Sequence, residues 1–496
     1  MTGMTTSAAS SRPHSSPERA RALVQRLGTL GEAHPAAELR FALLTDFADA
    51  PAETAPDDEA VLAELQAGIT ALNARARDDI GDRFFALHRR RAWSQTEAAW
   101  IGWERKRGKL RELMRLLQPD PPPTTFAWRF GDLPEVLSRR SIPYVITLDE
   151  STWPAPGTLA ELIRAAAHPL NRPVVDEAAG RVTSGFTVLQ PTVMFTLDAQ
   201  SVPRGGPVGA PGFAFRTFGV GTHKGAGALY VVDAFRRAVD GAFPDERVLH
   251  HDLLDGFVGR TGEVYDTVVH QPWPRTYLAQ ARRGHRWLRG VFQAVPFLVS
   301  RRTPLSGIHR FLIAEVALME LSTPASLGLL LLAWTVLPGP PALWTLFACP
   351  ALLIPAVSLP YHAVRIPLQR VRGRRRPGWG TALNGAATGL FAQVVLVYQA
   401  FLVVDALARV AWRLAVSRRN LLQWAPRDDS AAAMPLAAYW RVLWMSPIAS
   451  GLLLAALAFG GPAVSWMAAP FALAWMAAPV VVGLGDRSLF SGEGQG

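Results

Sequence analysis

The sequence predicts an α/β domain on a mostly parallel sheet, followed by an α-helical transmembrane domain. Three observations carry this. Up to about residue 300, short runs of β-formers alternate with segments of helical spacing, the pattern of strands joined by crossover helices. After about residue 320 come apolar runs, each near the roughly 20 residues that a bilayer span needs. Arginine clusters flank those runs, as the positive-inside rule describes. The 496 residues are enough for a soluble domain plus a second module.

Taken in order, residues 1–17 are rich in Ser, Ala, Thr and Pro and read as a disordered tail. They lack the apolar core of a signal peptide, so the domain over 18–300 is expected in the cytoplasm. Residues 18–30 read as a helix. The strand 41–45 runs into D-F-A-D-A, which places Asp46 and Asp49 just past its C-terminal edge. Residues 57–75 have helical spacing. The strand 83–87 leads into the basic run His88, Arg89, Arg90, Arg91. A helix is expected near 95–117 and contains W-E-R-K-R-G-K-L. A Pro-rich loop at 119–123 breaks the chain before Y-V-I-T-L-D, a strand that delivers Asp149 at its edge. A helix over 158–167, a turn over 168–173, a strand over 186–190 and a Gly/Pro-rich loop over 203–228 follow. Next come L-H-H-D-L-L-D-G, ending at Gly256, and R-R-G-H-R-W-L-R-G-V-F-Q, starting at Arg282.

The membrane half opens with an amphipathic stretch, 301–321. It carries Arg310, Glu315 and Glu320, which suits a helix lying at the interface. Apolar runs at about 322–337, 342–363, 382–404, 438–459 and 463–484 fill a multi-helix region to residue 486; a tail over 487–496 follows. The basic segments 365–376 and 409–427 both favour the cytoplasmic side. One full span between them would separate them. Either 382–404 is re-entrant or interfacial, with an interfacial helix near 405–424, or the rule fails here.

The net charge of +11 does not point to nucleic acid, because the Arg clusters lie beside apolar spans. The one cysteine, Cys349, excludes a disulfide framework and a Cys-based metal site.

Asp46, Asp49, Lys106, Lys109, Asp149, Asp252, Arg286 and Trp287 together suit a nucleotide-sugar site above a parallel sheet. Carboxylates at strand edges accept the N–H and hydroxyl donors of a base and ribose. The Lys/Arg cluster at 105–109 offers cations to a diphosphate. Asp149 offers a hard oxygen to Mg²⁺ or Mn²⁺. Asp252 suits a base that deprotonates an acceptor hydroxyl. Each motif has a plainer reading: helix caps for Asp46 and Asp49, a solvated helix face for 103–110, an N-cap for Asp252, and a membrane-interface anchor for Arg286-Trp287.

F-A-L-L-T-D-F-A-D-A, W-I-G-W-E-R-K-R-G-K-L, Y-V-I-T-L-D, H-P-L-N-R-P, H-D-L-L-D-G, R-R-G-H-R-W-L-R-G and the stretch 398–424 resemble the glycosyltransferase region of bacterial cyclic β-1,2-glucan synthases. The resemblance covers roughly residues 20–485. It implies a membrane-bound, processive, inverting enzyme of the inner membrane, using UDP-glucose and a divalent metal. It also implies a Rossmann-like glycosyltransferase A-type fold. By similarity, Asp46 or Asp49 contacts the nucleotide and Lys106 the diphosphate. Asp149 is the first acid of a metal-binding D-x-D, and Asp252 is the base. Arg283, Arg286 and Trp287 form a Q/R-x-x-R-W motif.

The departures are specific. T-L-D-E-S-T puts Ser151 where the second metal acid is expected, with Glu150 beside it. Ala226 replaces a family Lys, with Lys224 nearby. R-G-V-F-Q stands for R-G-D-W-Q. The first sheet strand, the upstream membrane helices and the phosphorylase-like domain are expected to be missing. Three readings follow: a divergent transferase, an inactive relative that assists another polysaccharide synthase, or a fragment whose partner protein supplies the missing parts.

Overall fold

The computed structural model describes residues 3–8, 16–36, 38–196, 213–274, 276–349, 379–423, 434–459 and 466–490. Its strands are β1 (Gly3–Ala8), β2 (Leu39–Asp46), β3 (Phe84–Arg89), β4 (Ala92–Ser94), β5 (Ala99–Ile101), β6 (Phe126–Phe130), β7 (Tyr144–Asp149), β8 (Trp153–Pro154), β9 (Val174–Asp176), β10 (Arg181–Ser184), β11 (Val188–Thr196), β12 (Gly227–Val231) and β13 (Thr261–Pro272). Nine of them form one sheet in the order β6-β3-β2-β1-β7-β12-β11-β13-β8. Strands β3, β2, β1 and β7 run parallel. The β12 strand is antiparallel between β7 and β11, and β11 and β13 are again parallel. Edge strands β6 and β8 are antiparallel to their neighbours, so the expected mostly parallel α/β sheet is observed as a mixed sheet in which six of nine strands share one direction.

Period-2 alternation splits each central strand between two cores. On β2, Phe41 and Leu43 join one cluster while Ala42 and Leu44 join the other. The first face is covered by α1 (Pro17–Ala33), α2 (Asp58–Ala76) and, further along, α5 (Thr158–Ala167), through Leu27, Leu65 and Leu162. The second is covered by α3 (Arg105–Leu116), with α7 (Val232–Val239) and α8 (His251–Val258) packed beyond it, through Leu113, Phe235 and Leu254. Because β2, β3 and β7 share one direction, Asp46, Arg89 and Asp149 all emerge at the same carboxyl edge, where open α/β sheets place their ligand crevice.

Several expectations are corrected. Residues 1–17 are not a disordered tail throughout: Gly3 pairs with Leu39 and Tyr144, and Ala8 with Leu44 and Asp149. The sheet strand expected to be missing is β1. The single helix expected over 95–117 is a hairpin followed by a shorter helix. Ala98 (φ 51°) turns β4 into β5, and Trp93 packs on Trp100 across the pair. Glu104 and Arg105 then take left-handed backbone (φ 50° and 51°) before α3 starts.

The amphipathic stretch 301–321 is not a separate interfacial helix. From Gly307 it is continuous with the next apolar run in one helix, Gly307–Thr335, with Pro324 inside it. Its first turns pack on the α/β core through Leu312 and Ile313, and Arg310 donates to the carbonyls of Phe297, Leu298 and Ser300. Its charge is thus answered by backbone rather than by lipid headgroups.

Residues 382–404 do not form one straight span. The helices Trp379–Val394 and Leu396–Trp412 meet at Val395 with a 60° bend. The interfacial helix expected near 405–424 is instead the second half of Leu396–Trp412 plus a π-helical turn, Arg413–Ser417. Among the described residues, Gly307–Thr335 and Ala468–Arg487 are long and apolar enough to cross a membrane. The count rises to four if each of two bent pairs is one span. The basic segment 365–376, the loop over 203–212, residues 350–363 and the end of the tail over 491–496 lie outside the described residues.

Candidate active site

Lys106 is the centre of the charged cluster at the carboxyl edge. The left-handed residues Glu104 and Arg105 set it at the start of α3, and Gly108 permits the turn, since a Cβ there would lie 2.1 Å from the Trp103 carbonyl oxygen. Its ammonium donates to Asp149 Oδ1 at 2.7 Å and to the Gly225 carbonyl at 2.5 Å. Gly225 (φ +68°) is packed against Asp252, so that a Cβ would fall 2.5 Å from Asp252 Oδ2. Burial works to lower the Lys106 pKa, but Asp149 and Asp252 outweigh it and hold it above the usual lysine range. Arg286, a like charge, repels Lys106 and works with burial to lower it. The structure thus brings Asp149, Lys106, Asp252 and Arg286 into one electrostatic group.

Asp252 lies in the first turn of α8, ringed by imidazoles. His223 Nε2 is 3.5 Å and His251 Nε2 3.6 Å from Asp252 Oδ1. His251 Nδ1 in turn lies 3.1 Å from Asp255 Oδ2. Burial would raise the Asp252 carboxyl; His251, His223, Lys106 and His250 together hold it well below the usual range. Burial pushes His223 down to about 4, so it is neutral at pH 7 and Lys106 is the permanent cation beside Asp252.

Asp46 and Lys109 are paired with each other and turned inward. Arg89 Nε meets Asp46 Oδ1 at 2.6 Å, Lys109 Nζ meets Asp46 Oδ2 at 2.8 Å, and Arg89 also reaches Glu112 at 3.1 Å. Lys109 is 3% exposed and Arg89 fully buried. Burial would raise the Asp46 carboxyl, but Arg89 and Lys109 hold it well below its usual range. Arg89 further donates to the Trp103 and Arg105 carbonyls, bracing the left-handed turn that presents Lys106. Asp49 stays at the surface and takes a two-pronged pair from Arg105 at 2.9 and 2.8 Å.

Arg283, Arg286 and Trp287 lie on α9 (Tyr277–Ala294). The Arg283 guanidinium stacks 4.6 Å from the Trp287 ring centre. Gly290 lets α9 approach, since a Cβ there would lie 2.4 Å from His250 Cβ. The same helix is tied to the apolar half: the Tyr277 amide donates to Asp486, His285 lies 2.8 Å from Asp405, and Arg289 and Gln293 donate to the Gln423 and Leu421 carbonyls.

The residues present do not fit a divalent cation at Asp149, which was the expected metal ligand. Such an ion takes several oxygens at about 2.0–2.6 Å. Asp149 Oδ1 already meets Lys106, and Glu150 pairs with Arg19 of α1. Ser151 brings a neutral hydroxyl in place of a carboxylate. Among the described residues, no three His, Cys, Asp or Glu side chains are grouped to hold a metal ion.

Reading the motifs alone missed the roles of Arg89, Gly225 and the histidines around Asp252, and placed Arg105 with the diphosphate cations rather than on Asp49. Their sequence signals were the H-R-R-R run, the H-K-G at 223–225 and the H-H before Asp252.

The fold and site define a class: an α/β domain with a charged cluster at the carboxyl edge of its sheet, joined to a helical region with candidate membrane spans. Within that class, the chain is similar to the cyclic beta-(1,2)-glucan synthase NdvB of Rhizobium meliloti (strain 1021), with 33% identity over 476 residues. The match covers 91% of this chain and 16% of NdvB, so the chain spans about one sixth of that protein's length. No family model matches the chain. Among solved structures, the mannosyltransferase PcManGT from Pyrobaculum calidifontis, in complex with GDP-Man and Mn²⁺, aligns with 81% of this chain and 86% of its own, at 11% identity and a TM-score of 0.38. S. aureus TarS 1-349 with UDP-GlcNAc aligns with 84% and 91%, at 10% identity and a TM-score of 0.32.

Proposed function

We propose that the chain is a membrane-bound glycosyltransferase of A-type fold that moves glucose from UDP-glucose to a β-glucan of β-1,2 type, with inversion at the anomeric carbon. The observation that carries this is the grouping of Asp252, Lys106, Asp149 and Arg286 at the carboxyl edge of the sheet. The similarity to NdvB supports it.

In this reading the uridine sits over the β2 edge near Asp49 and Arg105. Lys106 and Arg286 receive the diphosphate, and Asp149 orients Lys106. Asp46 and Lys109 act from beneath, through Arg89 and the turn at 104–105. An acceptor hydroxyl gives its proton to Asp252 as its oxygen bonds to the anomeric carbon. The bond from that carbon to the β-phosphate oxygen breaks, and the electron pair leaves with UDP. A single displacement inverts the configuration. Trp287, held by Arg283, offers a stacking face to the acceptor glucan. The low pKa of Asp252 keeps it ionised at pH 7. When UDP-glucose arrives, its diphosphate shares the field of Lys106, and Asp252 regains basicity as the reacting groups assemble.

In this reading the site lies against the inner face of a bacterial inner membrane, which the candidate spans support, and a partner protein completes the activities of the longer relative. Purified membranes carrying only this chain test the transfer: label from UDP-glucose enters polymer, and Asp252→Asn stops it. A second reading, an impaired relative that binds nucleotide sugar for another synthase, is favoured by Ser151 in the T-L-D-E-S-T turn. It predicts binding without incorporation.

A further inference from the structure

Resting on the transferase reading above, we propose that Lys106, together with Arg286, stands in for a divalent cation, so that this chain binds the diphosphate of its nucleotide sugar without metal. A bridging metal ion would supply two positive charges against the diphosphate; one ammonium and one guanidinium supply the same number. The ammonium occupies the inner side of Asp149, at 2.7 Å from Oδ1, which is where a cation held by that carboxylate would sit. An ammonium has three N–H donors. Asp149 and the Gly225 carbonyl take two, and the third is left for a phosphate oxygen. The Lys106 side chain is 26% exposed, so a ligand at the sheet edge reaches it.

The neighbouring acids do not rebuild a metal site. Glu150 is drawn toward α1 by Arg19, Asp252 is ringed by His223 and His251, and position 151 is a serine. Ser151 and the Lys106–Asp149 contact then have one explanation. With a single carboxylate at the strand edge, the lysine is not displaced by a metal ion and stays as the phosphate partner.

The test is equilibrium binding of labelled UDP-glucose and UDP to the full chain in detergent, first in chelator and then with Mn²⁺. The dissociation constant should be the same within about threefold in both, and Lys106→Ala should raise it by about 10- to 100-fold, the size of one charge-assisted hydrogen bond. Lys106→Arg should recover part of that loss, which separates lost charge from lost folding. Ser151→Asp should create a Mn²⁺-dependent increase in affinity that the parent chain lacks. Binding by the parent chain that Mn²⁺ tightens tenfold or more would overturn the inference and leave the transferase reading standing. Folded protein that binds neither nucleotide in either condition would overturn that reading, and the inference with it.

Discussion

Replacing Gly225 by alanine perturbs the site at its tightest point. The new Cβ would stand 2.5 Å from Asp252 Oδ2, 2.8 Å from its Cγ and 3.0 Å from Oδ1. An ordinary carbon contact is about 3.5 Å or more, so Asp252 or the 225 backbone must give by about 1 Å. The left-handed backbone at 225 adds about 1–2 kcal/mol of strain for any L-residue. A displacement of this size at a reacting group lowers transfer by about 100-fold. Gly241→Ala is the matched control: its φ is +76°, but nothing lies within 4 Å of the added carbon. It should lose comparable stability and keep its transfer rate. The assay is initial-rate incorporation of label from UDP-glucose, beside a denaturation midpoint for each variant. If both alanine variants lose transfer equally, the close approach of Gly225 to Asp252 has no part in the chemistry.

Other outcomes follow from the buried charges. Arg89→Met leaves the Asp46 and Glu112 carboxylates without their shared cation and should destabilise the fold by about 3–5 kcal/mol, read as a denaturant midpoint; Arg237→Met, at an exposed pair with Glu177, should leave the midpoint in place. Burial holds His223 at about 4 and His88 at about 3, below their ordinary 6.5. Their stabilising effect is complete above pH 6.5 and declines as pH falls toward those values, because the unfolded chain takes up protons that the folded chain refuses. Lowering pH from about 7.5 to 5.5 should therefore cost on the order of 1 kcal/mol per histidine, and a stability profile flat over that window would contradict their burial. Asp405→Asn removes the partner of His285 and Arg409 and should lower transfer through α9 without changing UDP-glucose affinity; an equal loss in affinity would place its effect elsewhere.

The β-former run Tyr144–Asp149 announced both its strand and the acid at its end, since one short segment carries the whole signal. The segments carrying Asp252 and Arg286 were legible as motifs, while their helices, His251–Val258 and Tyr277–Ala294, came from the structure. Strand β1 was not legible, because its only β-branched residues are Thr5 and Thr6 and it has no apolar alternation; its place comes from the partners on either side. The hairpin at 92–101 was absorbed into a helix because E-A-A there has good helix propensity, while the Trp93–Trp100 contact across the turn overrides it.

Asp46 and Lys109 were read correctly as strand-edge and helix residues, but the sequence did not show that Arg89 would bring them together. That pairing depends on the register of β2 against β3, where Asp46 faces Arg89. Membrane-half boundaries failed for a related reason. Charge pattern alone cannot show that Arg310 is satisfied by the carbonyls of Phe297, Leu298 and Ser300, so a continuous helix looked like two elements.

The central claim is that Asp252 is the base of a glucosyl transfer. The most direct measurement is incorporation of label from UDP-glucose into polymer by membranes containing this chain alone, compared with Asp252→Asn at equal folded protein and equal UDP-glucose affinity. The parent chain should make polymer and the variant at least about 100-fold less, with nucleotide binding retained. Equal incorporation by both, or none from a folded parent chain that binds UDP-glucose, would contradict the claim.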